Sequence, residues 1–180
     1  MRRLNNGASR LCCVILLLTG IGGCKRAKHD PEALVPEKAG PLLSAVSVND
    51  PAASAQLVRG FHALEAGSWR WTQKQFEVAL KPPPGAAENG ARLSFKLNVP
   101  EGVVGKYGPV TLTATVNGLM LPSETYPKSG DYVYAQDVPA TALKGDAVAV
   151  QFVSDKAIPP TAEDQRELSL IAVSIGLTPK

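Results

Sequence analysis

The sequence predicts an all-β domain, an antiparallel β-sandwich, and three observations carry that prediction. Short segments in which apolar and polar side chains alternate recur from about residue 57 to residue 177. Turn signals stand between them, at Pro82-Pro83-Pro84-Gly85, Asn117-Gly118, Ser129-Gly130 and Lys144-Gly145-Asp146. No segment repeats its apolar residues convincingly at helical spacing. Seven or eight such strands fit two packed sheets. A closed or partly open β-barrel has nearly the same sequence signature and is the alternative.

Taken in order, Leu57 to Leu64 opens the domain and Glu65-Ala66-Gly67 turns it. Ser68 to Thr72 follows, then Gln75 to Leu80, where Phe76, Val78 and Leu80 define one buried face. The proline run from Pro82 ends that strand, because proline cannot donate to a ladder. Ala91 to Val99 alternates most cleanly, with Leu93, Phe95, Leu97 and Val99 against Arg92, Ser94, Lys96 and Asn98. Val110, Leu112, Ala114 and Val116 form the next face, and Asn117-Gly118 predicts a hairpin whose two turn residues reach positive φ. Tyr132 to Val138 and Val148 to Phe152 are further strands. Leu168 to Leu177 is apolar at both parities, which predicts a central strand or one bulged near Leu170.

Ahead of the domain, Leu11 to Ile21 is a short apolar run behind Arg2, Arg3 and Arg10. A bilayer-crossing helix needs about 20 apolar residues, so this run has the length of a signal segment. It ends at Ile21-Gly22-Gly23-Cys24, which resembles the lipobox of bacterial lipoproteins. The resemblance implies removal of residues 1–23, a diacylglycerol on the Cys24 sulfur and an acylated new amine; an ordinary signal cut that releases a soluble protein is the alternative. Several acyl chains at about 0.8 kcal/mol per buried methylene would hold the protein at a membrane permanently. Lys25 stands where an Asp would resemble an inner-membrane retention signal, so the outer membrane of a bacterial envelope is expected.

Removing Arg2, Arg3 and Arg10 reduces the 19 basic residues to 16, against 16 acidic ones. A formally neutral mature chain offers no phosphate-binding stripe, and no nucleic-acid partner is expected. Cys12 and Cys13 lie in the signal and Cys24 would be lipidated, which leaves no thiol for a disulfide, a metal or catalysis. Residues 24–55 carry Pro31, Pro36, Pro41 and Pro51 among polar and small residues, and read as a tether of roughly 30 Å mean reach. A short helix over 41–48 is the alternative within it. Residues 56–180 then form the single domain.

Chemistry is sparse. The sequence has no Gly-x-Ser-x-Gly elbow, no His-Glu-x-x-His and no glycine-rich phosphate loop, and its two histidines are His29 and His62. Glu163, Asp164 and Glu167 cluster, but a hydrophilic turn before a strand explains them equally well. No catalytic role, cofactor or metal is expected, and no loop spacing specifies calcium. Trp69-Arg70-Trp71 is the most unusual feature: alternation puts both indoles on one face, either as a stacking platform for sugars or as core packing. Tyr132 and Tyr134 share a face and could extend such a surface. Arg166 could grip a hydroxyl-rich ligand together with Asp164, or pin its own loop to a carboxylate.

Gly60-Phe61-His62-Ala63-Leu64-Glu65 running into Trp69-Arg70-Trp71-Thr72, the Val116-Asn117-Gly118 hairpin, and Asp164-Gln165-Arg166-Glu167-Leu168-Ser169-Leu170 together resemble a β-sandwich domain attached to bacterial glycosyltransferases and cell-surface proteins. The layout is similar to galactose-binding-like and other jelly-roll carbohydrate-binding modules. The resemblance implies a membrane-anchored, non-catalytic envelope protein that binds glycan or another envelope component. An accessory subunit docking on an envelope protein is the rival expectation. Trp69, Arg70, Trp71, Tyr132, Tyr134, Asp164 and Arg166 are the candidate ligand-binding residues.

Overall fold

A computed structural model of the chain describes residues 40–180. The signal segment, the lipobox with Cys24 and residues 24–39 of the expected tether lie outside the described residues. Ten strands follow in order: β1 (Ala45–Ser47), β2 (Leu57–Glu65), β3 (Trp69–Leu80), β4 (Ala91–Val99), β5 (Val110–Val116), β6 (Leu119–Met120), β7 (Glu124–Tyr126), β8 (Gly130–Val138), β9 (Val148–Ser154) and β10 (Ile171–Pro179). Every pairing between them is antiparallel.

The ladder runs β6-β5-β9-β3-β10-β4-β8, with β1 added to β10, β2 to β3 and β7 to β5. Its ends, β6 and β8, do not pair, so the barrel is not closed; the continuous ladder curls through β3 into two facing layers. One layer is β10-β4-β8, edged by β1 and by the start of β3. The other is the far half of β3 with β9 and β5, edged by β2, β6 and β7. From β3 onward the chain crosses between layers at each long strand, in the manner of a jelly roll. Strand β3 itself joins them: Arg70 and Trp71 pair with β10, whereas Gln75 to Leu80 pair with β9.

Alternation in the sequence becomes the core. Leu93, Phe95, Leu97 and Val99 of one layer face Phe76, Val78, Leu80, Val150 and Phe152 of the other, all at most 2 % exposed. Phe95 meets Phe152 at 5.0 Å and Phe76 at 5.6 Å between ring centroids, edge and tilted contacts that tie the layers together. At the Asn117-Gly118 turn both residues hold positive φ, 45° and 85°, as the hairpin signal requires.

Three expectations are corrected. The domain begins well before residue 56: Val46, Val48 and Ala53 are buried, β1 pairs with β10, and Pro51–Gln56 forms a 3-10 turn capped by Asp50. Gln56 explains why this polar, Pro-rich stretch is held. Its side chain, 4 % exposed, accepts from the Leu43 N–H at 2.9 Å and donates to the carbonyls of Leu43 and Ala79 at 3.0 and 2.7 Å. The alternative helix over 41–48 is therefore strand and loop. Two short helices that the periodicity did not reveal, α1 (Ala86–Asn89) and α2 (Glu101–Tyr107), fill connections between the layers. The final strand starts at Ile171 and its bulge falls between Ala172 and Ser174, a few residues later than expected.

Candidate functional site

The inward face of β3 carries Thr72, Phe76, Val78 and Leu80, so Trp69 and Trp71 point outward from the first layer. Strand register extends their face sideways. Trp71 lies opposite Ile171, Ile171 opposite Asn98, and Asn98 opposite Asp131, a single row across four strands. The bulge in β10 turns Val173 out onto the same surface at 39 % exposure, and Val133 beyond it is 50 % exposed.

Ile171, Asn98 and Asp131 of this row line an open groove, with Trp71 beside it. One hollow of about 290 Å³ is bordered by Trp69, Asn98, Asp131, Ile171 and Val173. A second, of about 400 Å³, shares Asp131 and Val173 with it and reaches Lys96, Tyr132 and Val133. Apolar surface therefore forms the floor, and hydrogen-bonding groups form one rim. Asn98 Nδ2 donates to Asp131 Oδ1 at 2.8 Å, which leaves the second Asp131 oxygen and the Asn98 carbonyl free to meet a ligand. Both indoles are half-buried, and the Trp69 N–H is enclosed without an acceptor. A phenyl ring would fill much of that space without a stranded donor, so packing alone does not account for tryptophan there.

The acidic loop before β10 closes beside the indoles. Glu65 sits opposite Trp69 in the β2–β3 register, and Arg166 Nη1 donates to its Oε1 at 2.6 Å. Arg166 also grips Asp164, with Nε to Oδ1 at 2.9 Å and Nη2 to Oδ2 at 2.8 Å. The Arg166 guanidinium holds the Asp164 carboxyl down to about 2, and the two carboxylates push the guanidinium still higher than usual. His62 Nε2 contacts the Glu167 carbonyl at 2.7 Å and ties the next residue to β2. Asp164 and Arg166 thus spend their hydrogen bonds on each other and on Glu65; they position the loop.

Two candidates leave the site, and a third, Tyr132, borders the second hollow while its ring packs inward. Arg70 points to the other side of β3, where it donates to the carbonyls of Val48 and His62 at 2.8 and 3.0 Å and pins β1 and β2. Tyr134 is wholly buried, and its hydroxyl donates to the Pro122 carbonyl at 2.7 Å. Tyr132 shares that inward parity, stacks on Tyr126 at 4.6 Å and donates to the Lys128 carbonyl. Alternation correctly put the two tyrosines on one face, but it is the face opposite the indoles. Asn98, Asp131, Ile171 and Val173 were not singled out by sequence, because they become neighbours only through strand register.

No family model matches the chain, and no curated protein matches it. Among solved structures, the chain is similar to a carbohydrate-binding module of family 36 in complex with calcium and xylotriose, at 8% identity over 76% of this chain and 100% of that one, TM-score 0.41. It is also similar to a mannan-recognising carbohydrate-binding module, TmCBM27, at 12% identity over 77% and 97%, TM-score 0.45. A family 35 module from an environmental isolate gives 16% identity over 67% and 91%, TM-score 0.37. The sandwich assignment stands on the strand pairing and inter-layer packing described above. Among the described residues, no group of three or more His, Cys, Asp or Glu is placed to hold a metal ion.

Proposed function

We propose that this protein is a non-catalytic lipoprotein of the bacterial envelope, anchored through Cys24, whose sandwich binds glycan in the outward groove at Trp69 and Trp71. The observation that carries the reading is the combination of two outward indoles with an Asn98–Asp131 rim that still has free acceptors. Indole faces stack on the apolar faces of sugar rings, while amide and carboxylate groups take the hydroxyls around their edges. The lipobox resemblance supplies the anchor.

The rival reading, a subunit that docks on an envelope protein, draws on exposed Val133 and Val173 and on the nine-residue edge strand β8. That edge is blunted: Glu124 Oε1 caps the Ala135 N–H at 3.4 Å, and Asp131 and Asp137 stand along it. Glycan is therefore the first choice.

A glycan array probed with detergent-extracted protein, beside Trp69→Ala and Trp71→Ala, tests the site. Each substitution is expected to weaken binding at least about tenfold, equivalent to ~1.4 kcal/mol, with an unchanged far-UV spectrum. Unaltered binding by both folded variants would remove the groove from consideration. Intact-mass spectrometry tests the anchor separately, through the presence or absence of acyl chains on residue 24.

A further inference from the structure

The second layer carries its own cleft, on the outward side where β3 changes partners. From Arg59 to Phe61, β2 advances two residues, whereas its partner β3 runs from Glu77 back to Thr72. The surplus chain, Gln73 to Phe76, folds against Gly60. Gly60 has φ +78°, and a Cβ there would lie 2.2 Å from the Gln75 carbonyl oxygen, so only glycine permits this approach. Between the last β10 contact, at Thr72, and the first β9 pairing, at Gln75, residues 73 and 74 of β3 pair with neither strand. A hollow of about 610 Å³ opens there.

Its walls are polar and mostly uncommitted. Glu167 Oε1 accepts from the Lys74 main-chain N–H at 2.7 Å, and among the described residues its second oxygen has no hydrogen-bond partner. Asp155 is engaged at both oxygens, Oδ1 accepting from the Thr111 N–H at 2.7 Å and Oδ2 pairing with the Lys156 ammonium at 3.4 Å. Among the described residues, the amides of Gln73 and Gln75 and the Lys74 ammonium have no hydrogen-bond or ion-pair partner. Arg59, at the rim, is taken by Glu77 at 2.9 Å. Two primary amides, the remaining Glu167 oxygen and one ammonium give paired donors and acceptors, and the Asp155–Lys156 and Arg59–Glu77 pairs add no net charge. Val153, 46 % exposed, supplies an apolar patch on one wall.

We propose that this cleft is a second binding site, for a neutral hydroxyl-rich ligand such as an oligosaccharide, read chiefly by the side-chain amides of Gln73 and Gln75. Each amide offers a donor and an acceptor side by side, the pairing that vicinal hydroxyls present. An anion would find Glu167 in its way, and a cation would find Lys74. The site is independent of the indole groove and does not need that reading to hold.

The test is nitrogen-15 NMR of the detergent-extracted protein, titrated separately with cellotetraose, mannotetraose and tetragalacturonate. Side-chain amide signals of Gln73 and Gln75 report the cleft, indole N–H signals report the groove, and the Gln136 amide, bound to Glu124 at 2.8 Å, serves as control. At least one neutral tetrasaccharide is expected to shift the Gln73 and Gln75 amides saturably while Gln136 stays still. Gln73→Ala with Gln75→Ala is expected to weaken the shift of the neighbouring Val153 amide at least tenfold. The proposal is overturned if neither neutral tetrasaccharide moves the two amides, if only tetragalacturonate does, or if the double variant binds as tightly as the parent. Movement of the indole signals alone would support the groove and overturn the cleft.

Discussion

Arg166 Nη1 and Glu65 Oε1 lie 2.6 Å apart, and this contact joins the loop before the last strand to the end of the second, on the flank of the indole groove. The other edge of the same guanidinium is occupied by both oxygens of Asp164. Acid should open this clasp. The Asp164 carboxyl is held below its ordinary 3.8, down to about 2, so its contribution is fully present above 3.8 and is lost as pH falls toward 2. Arg166→Gln is expected to return the Asp164 carbon-13 titration to near its ordinary value and to speed amide exchange over residues 161–168. Because these side chains are partly exposed, added salt should shrink the difference. An unmoved Asp164 titration in the variant would mean that another group depresses it.

Trp69 carries a stranded indole N–H, which costs about 1–3 kcal/mol when a buried donor has no acceptor. Trp69→Phe removes the donor and keeps an aromatic face. Its folding stability is expected to stay within about 1 kcal/mol of the parent in urea unfolding, or to rise, while glycan affinity falls. A loss of several kcal/mol in stability would assign Trp69 to packing.

Tyr134 gives the reverse case, an aromatic whose polar tip is fully used. Desolvation pushes its phenol up to about 12, and its hydroxyl donates to the Pro122 carbonyl at 2.7 Å. For an acid whose folded value is raised, stability is complete below the ordinary 10.0 and drains away as pH climbs toward 12. Tyr134→Phe should cost about 1–2 kcal/mol at neutral pH by orphaning the Pro122 carbonyl, and it should flatten the alkaline limb of the stability curve. Denaturant unfolding at stepped pH measures both effects.

The core of this fold could be read from the sequence because it depends on period alone. Leu93, Phe95, Leu97 and Val99 alternate with polar residues and alternate in burial, and any pairing that buries one face gives that result. The groove depends on register, which period does not encode. Trp71 was visible by type, yet its neighbours Ile171, Asn98 and Asp131 come from three other strands. The tyrosines show the same limit, since alternation put Tyr132 and Tyr134 together without saying which side of the sheet they would take. Gly60 was visible as a glycine inside a strand, but the detour of β3 over the four residues Gln73 to Phe76 that requires it was not.

The amino-terminal boundary was misread for a related reason. Pro and Ala between residues 41 and 55 lower the local signal, and what holds the segment is distant in sequence: β10 pairs with β1, Arg70 binds the Val48 carbonyl, and the Gln56 side chain ties Leu43 to Ala79. Gln56→Ala should therefore act like a core substitution despite its polar type. It strands the Leu43 N–H and removes a donor from the carbonyls of Leu43 and Ala79, the first of which still accepts from the Lys81 N–H, and a loss of about 2–4 kcal/mol is expected. Gln165→Ala, at an exposed glutamine on the far loop, should stay within about 0.5 kcal/mol. Deleting residues 24–55 should be worse than either, because it removes Val46, Val48 and Ala53 and bares the β10 edge that β1 covers. Urea unfolding of the three variants beside the parent settles the order. If the deletion unfolds as cooperatively and at the same midpoint as the parent, residues 40–55 are an attachment to the sandwich and not part of it.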